Sequence, residues 1–109
     1  MENQTAHEGK TTAIISYLWW IGLLIAFIMN NDKKNSFASF HIRQMIGILL
    51  MSAVNYFIVR ELISPWGANL ISLLILVLWI VGLIGAIQGE EKKVPLLGDQ
   101  FQDWFKNIG

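Results

Sequence analysis

Three stretches without a charged residue occupy most of this 109-residue chain, and each is long enough for a membrane-crossing helix. They cover residues 11–31, 44–59 and 62–89. An α-helix rises about 1.5 Å per residue, so about 20 residues cover the ~30 Å hydrocarbon layer of a bilayer. Water-soluble domains of this size interrupt such stretches with charges, because one helix face stays wet. The pattern therefore predicts an all-α, polytopic membrane protein.

Composition narrows the class further. Charged residues make up 15% of the chain, against about 25% in soluble domains. The net charge is zero and no basic cluster exceeds two adjacent lysines, so we expect no nucleic-acid partner. The absence of cysteine excludes disulfides and cysteine metal sites. The length fits one membrane domain over residues 1–109.

We predict three spans, at about residues 12–29, 42–60 and 66–88. The first is too long for a signal-peptide core and no small-residue cleavage site follows it, so we expect a retained helix. The second is the least apolar, and Arg43 and Arg60 must reach the two membrane surfaces. A re-entrant or interfacial segment is the alternative for this second stretch.

Basic residues predict the orientation, because cytoplasmic connections are enriched in Lys and Arg. Three spans place the chain termini on opposite sides. The first connection and the tail carry six basic residues, namely Lys33, Lys34, Arg43, Lys92, Lys93 and Lys106. The other side carries only Lys10 and Arg60. We therefore expect the N-terminus outside and the C-terminus in the cytoplasm.

A W-x-x-G-L-x-x-A pattern occurs in the first and third spans. Its residues share one helix face in each copy: Trp19, Gly22 and Ala26, and again Trp79, Gly82 and Ala86. Pairs of small residues four apart let membrane helices approach closely. We expect these faces to mediate helix packing. The alternative is that the pattern reflects the general abundance of such residues in membrane helices.

Polar residues in the second span fall on one helix face, with Gln44, Ser52 and Asn55 close in angle to His41. The stripe is either a polar pathway or partner surface, or a set of interhelical hydrogen bonds. A free imidazole titrates near neutrality, so a proton-transfer role is one hypothesis for His41, and packing or capping is the alternative. We find no ligand set for a metal and no nucleophile–base pattern, so we predict a non-enzymatic protein without a cofactor.

The tail is predicted to form a short amphipathic helix at about residues 99–108. An apolar stripe runs along it at i, i+3, i+4 and i+7: Phe101, Trp104, Phe105 and Ile108. Asp99 is expected at the N-cap, with Gln102 as its capping-box partner. The helix is expected at the cytoplasmic surface, either packed on its own bundle or serving as a docking site.

Two sequence elements resemble those of a known family. The first is F-x-x-F-H-x-x-Q, formed by Phe37, Phe40, His41 and Gln44. The second is G-x(4–5)-P-L-x-G-D, formed by Gly89, Pro95, Gly98 and Asp99. They resemble the small membrane proteins related to the chloroplast inner-envelope import component, the twenty-kilodalton Tic subunit, and to magnetosome proteins of the MmsF kind. The resemblance implies an integral helical protein with family-type contacts at these positions. The plastid relatives are placed in protein import, and the magnetosome relatives affect crystal growth.

These features and the resemblance together favour a non-enzymatic subunit or assembly factor of a membrane complex in the bacterial inner membrane, linked to protein translocation or insertion. The expected partners are the lipid bilayer and either other membrane proteins or further copies of the chain. The alternative is a small oligomeric channel or transporter lined by Gln44, Ser52 and Asn55. A membrane enzyme using His41 is a third hypothesis.

Overall fold

The computed structural model describes the backbone of residues 2–108 and the side chains of residues 5–108. Its helices are α1 (Glu2–Ser16), α2 (Trp19–Lys33), α3 (Ser36–Val54), α4 (Pro65–Gln88) and α5 (Gly98–Trp104). A π-helical segment, Asn55–Ile63, continues α3 directly. No strand occurs within the described backbone. The predicted all-α class is confirmed.

The predicted first span is not one helix, because the chain reverses between α1 and α2. The Ser16 hydroxyl donates back to the Ala13 carbonyl at 2.6 Å, and Trp19 takes a left-handed conformation with φ of 67°. Gly22 lacks the Cβ that would overlap the Ile15 carbonyl, so α2 folds closely against α1. The expectation of a single helix over residues 12–29 is corrected to an antiparallel helical hairpin.

Asn30 and Asn35 hold the turn between α2 and α3. The Asn30 Oδ1 accepts from the Asn35 backbone N–H at 2.9 Å. The Asn35 Oδ1 caps α3 by accepting from the Ala38 N–H at 2.9 Å, as an N-cap side chain does. The Asn35 Nδ2 donates to the Thr5 carbonyl at 3.0 Å. The turn therefore lies beside the beginning of α1.

Two helical stretches are long and apolar enough to cross a membrane, Ser36–Ile63 and Pro65–Gln88. They form an antiparallel pair, in which the Asn55 Nδ2 donates to the Ala68 carbonyl at 3.1 Å. Ser64 caps α4 through its hydroxyl and Pro65 occupies the first helical turn, where its missing N–H costs nothing. The observed bounds of α4 lie within one residue of the predicted span 66–88.

The molecule has two distinct ends. The basal end holds the beginning of α1, the α2–α3 turn and the segment after α4. The distal end holds Ser64. Lys10 of α1 lies beside Gly89 at the end of α4, where a Cβ on Gly89 would lie 3.7 Å from the Lys10 Cε. The predicted opposite placement of the two termini required a first span that crosses the bilayer. The fold instead brings the beginning of α1 and the segment after α4 to the same end.

The α1–α2 hairpin covers only the basal part of the α3–α4 pair. Its tip at Tyr17 contacts Gly82 and accepts a hydrogen bond from the Trp79 Nε1 at 2.8 Å. By helical rise, Trp79 lies about 13 Å from the basal end of α4 and about 21 Å from Pro65. The core sits under the hairpin, and its fully buried side chains include Tyr17, Met45, Ile48 and Leu78.

Candidate functional site: a buried polar junction and an apolar groove

Tyr17 and His41 form the centre of a buried polar junction near the basal end. The Tyr17 hydroxyl lies 2.6 Å from the His41 Nδ1, and the His41 Nε2 lies 2.9 Å from the Glu90 carbonyl oxygen. Because a carbonyl only accepts, the Nε2 carries the proton and donates to it. A neutral imidazole then accepts the Tyr17 proton at the Nδ1. Both ring nitrogens are therefore engaged.

Gln44 extends the junction by one helical turn. Its Nε2 donates to the Tyr17 hydroxyl at 2.9 Å and to the Lys92 carbonyl at 3.0 Å. Its Oε1 accepts from the Val94 backbone N–H at 2.9 Å. One buried amide thus joins the tip of the α1–α2 hairpin, α3 and the segment that follows α4. Buried polar groups in such a network are stabilising when all of them are paired.

The two family-type sequence elements meet at this junction. Phe37 and Phe40 pack edge-on against the His41 ring, with centroids 4.8 and 5.0 Å away. Gly89 ends α4 in a left-handed conformation, φ 75°, and so turns the chain toward His41. The segment between Gly89 and Pro95 supplies the backbone groups that His41 and Gln44 bind.

The remaining residues of the second element shape this segment at the surface. Gly98 is buried, and a Cβ there would overlap Lys93. Asp99 is exposed and pairs with Lys93 at 2.6 Å. Pro95 is also exposed. Asp99 does not cap α5, since the N-cap position belongs to Leu97, and the predicted capping box is not formed.

The buried polar junction connects three parts of the chain. It resembles a proton relay only in its Tyr–His pair, because each outer bond ends on a backbone group. Among the described residues, no group of three or more His, Cys, Asp or Glu side chains is placed to hold a metal ion. The junction therefore joins the hairpin tip, α3 and the segment after α4 through hydrogen bonds.

The polar stripe predicted on the second span is divided between two places. Gln44 belongs to the junction, whereas Ser52 and Asn55 line a groove toward the distal end. The Ser52 hydroxyl donates to the Ile48 carbonyl at 3.0 Å. The three side chains therefore do not form one continuous line within a single chain.

The groove opens where the α1–α2 hairpin stops. It has a volume of about 950 Å³ and is lined mainly by apolar and aromatic side chains of α2, α3, the π-helical segment and α4. Trp19, Trp20 and Trp79 line it on the side of the hairpin tip, and Arg60 lines it near the distal end. A second, smaller groove of about 320 Å³ runs between α3 with the π-helical segment and the aromatic side chains Phe101, Trp104 and Phe105 of the tail. Asn55 lines both grooves.

The predicted helix-packing residues lie mostly inside the chain. Gly22 and Ala26 are buried on α2, Gly82 makes room for the Tyr17 ring, and Ala86 is fully buried. Trp79 donates to the hairpin turn, whereas Trp19 is half-exposed. The contacts made by these small residues are therefore contacts within one molecule.

The tail helix is shorter than predicted. It ends at Trp104, because Arg43 binds the carbonyls of Ile108 at 2.8 Å and Lys106 at 3.1 Å and draws the chain out of the helix. Phe101 is buried on Gly47, whereas Trp104 is 62% exposed. Phe105 is partly buried, and Ile108 lies at the exposed end of the stripe.

Three features of the site escaped the sequence analysis: the role of Tyr17, the hairpin turn beside it, and the π-helical segment. The spacing of apolar residues continues through residues 12–29, so periodicity gave no signal for the turn. A signal existed in Ser16 and Tyr17, two polar side chains inside a stretch that would otherwise face lipid. Both are fully buried.

Comparison with known proteins places the chain among membrane proteins. UPF0132 membrane protein MJ1527 of Methanocaldococcus jannaschii is 33% identical over 104 residues, which cover 93% of this chain and 73% of that protein. UPF0132 membrane protein MJ1443 of the same organism is 33% identical over 75 residues, which cover 62% of this chain and 63% of that protein. No family model and no solved structure matches the chain.

The apolar helices and these relatives together define an all-helical membrane protein. The chain belongs to the UPF0132 family of membrane proteins.

Proposed function

We propose that this protein is a non-enzymatic subunit or assembly factor of a larger membrane complex. The proposal rests on the incomplete burial of α2. Only Gly22, Ala26 and Asn30 of this helix are buried. An apolar outer stripe, which lines neither groove, remains exposed on it: Leu18, Ile21, Ile25 and Ile28.

The hairpin tip adds a physical reason for a protein partner. Leu18 stands at the N-cap of α2 and provides no side-chain acceptor for the first N–H groups of the helix. By helical rise, this turn lies deep in the hydrocarbon layer. Irregular backbone at such depth is tolerated where protein covers it or water reaches it. A neighbouring subunit seated on the outer stripe supplies that cover.

The proposed orientation places the basal end in the cytoplasm. Seven of the eight Lys and Arg residues lie toward this end, and Arg60 alone lies at the distal end. Two spans, a half-membrane hairpin and a basal tail then leave both chain ends on the cytoplasmic side. The cytoplasmic membrane is the proposed location.

The resemblance of the two sequence elements to the import-component family supports protein translocation or insertion as the process. In that role the buried polar junction holds the α1–α2 hairpin in place. The hairpin in turn presents the outer stripe to a protein neighbour. The neighbour is either another membrane protein or a second copy of this chain.

Site-specific cross-linking in native membranes tests the proposal. A photoreactive phenylalanine analogue at Ile28, which is 63% exposed, is compared with the same analogue at Leu73 on α4, which is 62% exposed. We expect a discrete protein adduct from Ile28 and mainly lipid adducts from Leu73. Mass spectrometry of the adduct identifies the neighbour. Lipid adducts alone from every position of the outer stripe would refute the proposed subunit role.

A further inference from the structure

The hydrogen bonds of the buried polar junction fit only the neutral form of His41. The ring is fully buried, its Nε2 donates to the Glu90 carbonyl at 2.9 Å, and its Nδ1 accepts from the Tyr17 hydroxyl at 2.6 Å. A neutral imidazole has one donor and one acceptor, whereas a protonated imidazole has two donors. The junction therefore uses each ring nitrogen in the way that leaves the ring uncharged.

A second proton on His41 would reverse the bond to Tyr17. The Nδ1–H would then point at the phenol oxygen, which already accepts from the Gln44 Nε2 at 2.9 Å. The phenol O–H would need a new acceptor at a place where Tyr17 is fully buried. An unpaired buried donor and a buried positive charge both cost free energy. Protonation of His41 therefore disfavours the contact between the hairpin tip and α3.

The surroundings of His41 offer little compensation for a positive charge. Tyr17 is the titratable side chain that faces the ring, and on α4 the ring meets Gly85, where a Cβ would lie 3.5 Å from the His41 Cε1. The charged side chains on the elements around the ring are at least partly exposed and mostly basic: Lys10, Arg43, Glu90 and Lys92. The single carboxylate among them, that of Glu90, pairs with the Lys92 ammonium at 3.7 Å.

The α1–α2 hairpin is the part of the molecule that can respond to this loss. Tyr17 at its tip is held by the junction and by the Trp79 Nε1, which donates to the Tyr17 carbonyl at 2.8 Å, and its ring lies over Gly82. The α3–α4 pair has a polar contact of its own, between the Asn55 Nδ2 and the Ala68 carbonyl. The hairpin tip can therefore leave α4 while the two long helices stay together.

We propose that the α1–α2 hairpin is an acid-released element, which leaves the α3–α4 pair when His41 takes up a proton. The closed hairpin holds the neutral ring, whereas a released imidazole takes up a proton near its ordinary pKa of about 6.5. The closed form is therefore favoured at neutral pH and lost as the pH falls. Linkage lowers the ratio of closed to released hairpin by up to about tenfold for each pH unit below that value. The proposal is independent of the protein neighbour proposed for the outer stripe.

Distances between spin labels test the proposal, because the native chain has no cysteine and each introduced thiol is labelled specifically. Leu18→Cys with Leu73→Cys joins the hairpin tip to α4, at positions that are 60% and 62% exposed. The control pair, Leu50→Cys with Leu73→Cys, joins α3 to α4. Both pairs are measured in phosphatidylcholine nanodiscs at about pH 7.5 and about pH 4.5, on either side of the ordinary imidazole pKa. We expect only the first distance to lengthen in acid. An unchanged first distance, or a lengthening of both, overturns the proposal.

Two variants assign the response to His41. His41→Asn keeps an oxygen that accepts from Tyr17 and removes the titration, so we expect the hairpin to stay closed at both pH values. His7→Gln removes the other of the two histidines, an exposed one, and is expected to retain the full response.

Nitrogen NMR of labelled histidine in His7→Gln reports on His41 alone and decides the matter if His41→Asn does not fold. We expect a neutral ring that carries its proton on the Nε2 at neutral pH, and protonation over the pH interval in which the distance lengthens. Lengthening in a folded His41→Asn, or protonation without lengthening, overturns the proposal.

Discussion

At the scale of single residues, Gln44 is the side chain on which the basal junction depends most. It makes three hydrogen bonds, one to a side chain and two to the backbone of the segment after α4. In Gln44→Leu the Val94 N–H and the Lys92 carbonyl lose their buried partner. We expect the variant to lose about 2–4 kcal/mol of unfolding free energy, measured by denaturant titration in mixed micelles.

Gln88→Leu is the matched control for this prediction. Gln88 is exposed, and its Oε1 accepts from the Lys92 ammonium at 3.3 Å, a contact at the surface. We expect a change below about 0.5 kcal/mol. Equal losses in the two variants would show that the junction does not hold the fold.

The residues of the junction show what the sequence could reveal at this scale. His41 and Gln44 stood out because polar side chains in an apolar helix must find partners. Their partners were not predictable, since most are backbone groups of a segment about fifty positions away. Tyr17 carries an aromatic ring with one polar atom, a combination that suits a membrane surface. The hairpin turn buries it instead.

At the scale of helices, Gly47 sets the distance between α3 and α5. A Cβ at this position would overlap the Phe101 ring. We expect Gly47→Ala to push α5 away from α3 and to cost about 1–3 kcal/mol of unfolding free energy. We expect trypsin to cut the detached tail faster at Lys92 and Lys93. Gel analysis of the micelle-bound protein over time measures this cleavage.

Gly67→Ala on α4 separates this effect from the general effect of adding a methyl group to a helix. The Cβ there would meet only Ser64, at 3.5 Å, an ordinary contact. We expect unchanged or slightly higher stability and unchanged cleavage of the tail. A trypsin pattern for Gly47→Ala identical to that of Gly67→Ala would contradict the packing of α5 on Gly47.

Helix boundaries were predictable where local chemistry sets them. Pro65 and Gly89 mark the beginning and end of α4, as residues of their type do. The α1–α2 turn was not predictable in this way, because it contains neither Gly nor Pro. It is held by distant groups, Trp79 through its indole N–H and Gly82 through its lack of a side chain. The tail helix ends early for a similar reason, since Arg43 binds the carbonyls of Lys106 and Ile108 beyond it.

At the scale of the whole molecule, the hairpin changes the topology that basic residues predict. With a first span that crosses the bilayer, six basic residues lie on one side of the membrane and two on the other. With the hairpin, seven lie at the basal end and Arg60 alone at the distal end. The second arrangement satisfies the positive-inside rule more fully. The proposed topology therefore has two crossings and both chain ends in the cytoplasm.

Cysteine labelling distinguishes the two topologies, because the native chain has no cysteine and each introduced thiol is unique. His7, Glu61 and Glu91 are exposed positions at the beginning of α1, at the distal end and after α4. A membrane-impermeant maleimide added to intact cells should label only Glu61→Cys, whereas permeabilised cells should label all three variants. A first span that crosses the bilayer predicts outside labelling of His7→Cys as well. The His7→Cys result therefore decides whether α1 and α2 enter the membrane as a hairpin.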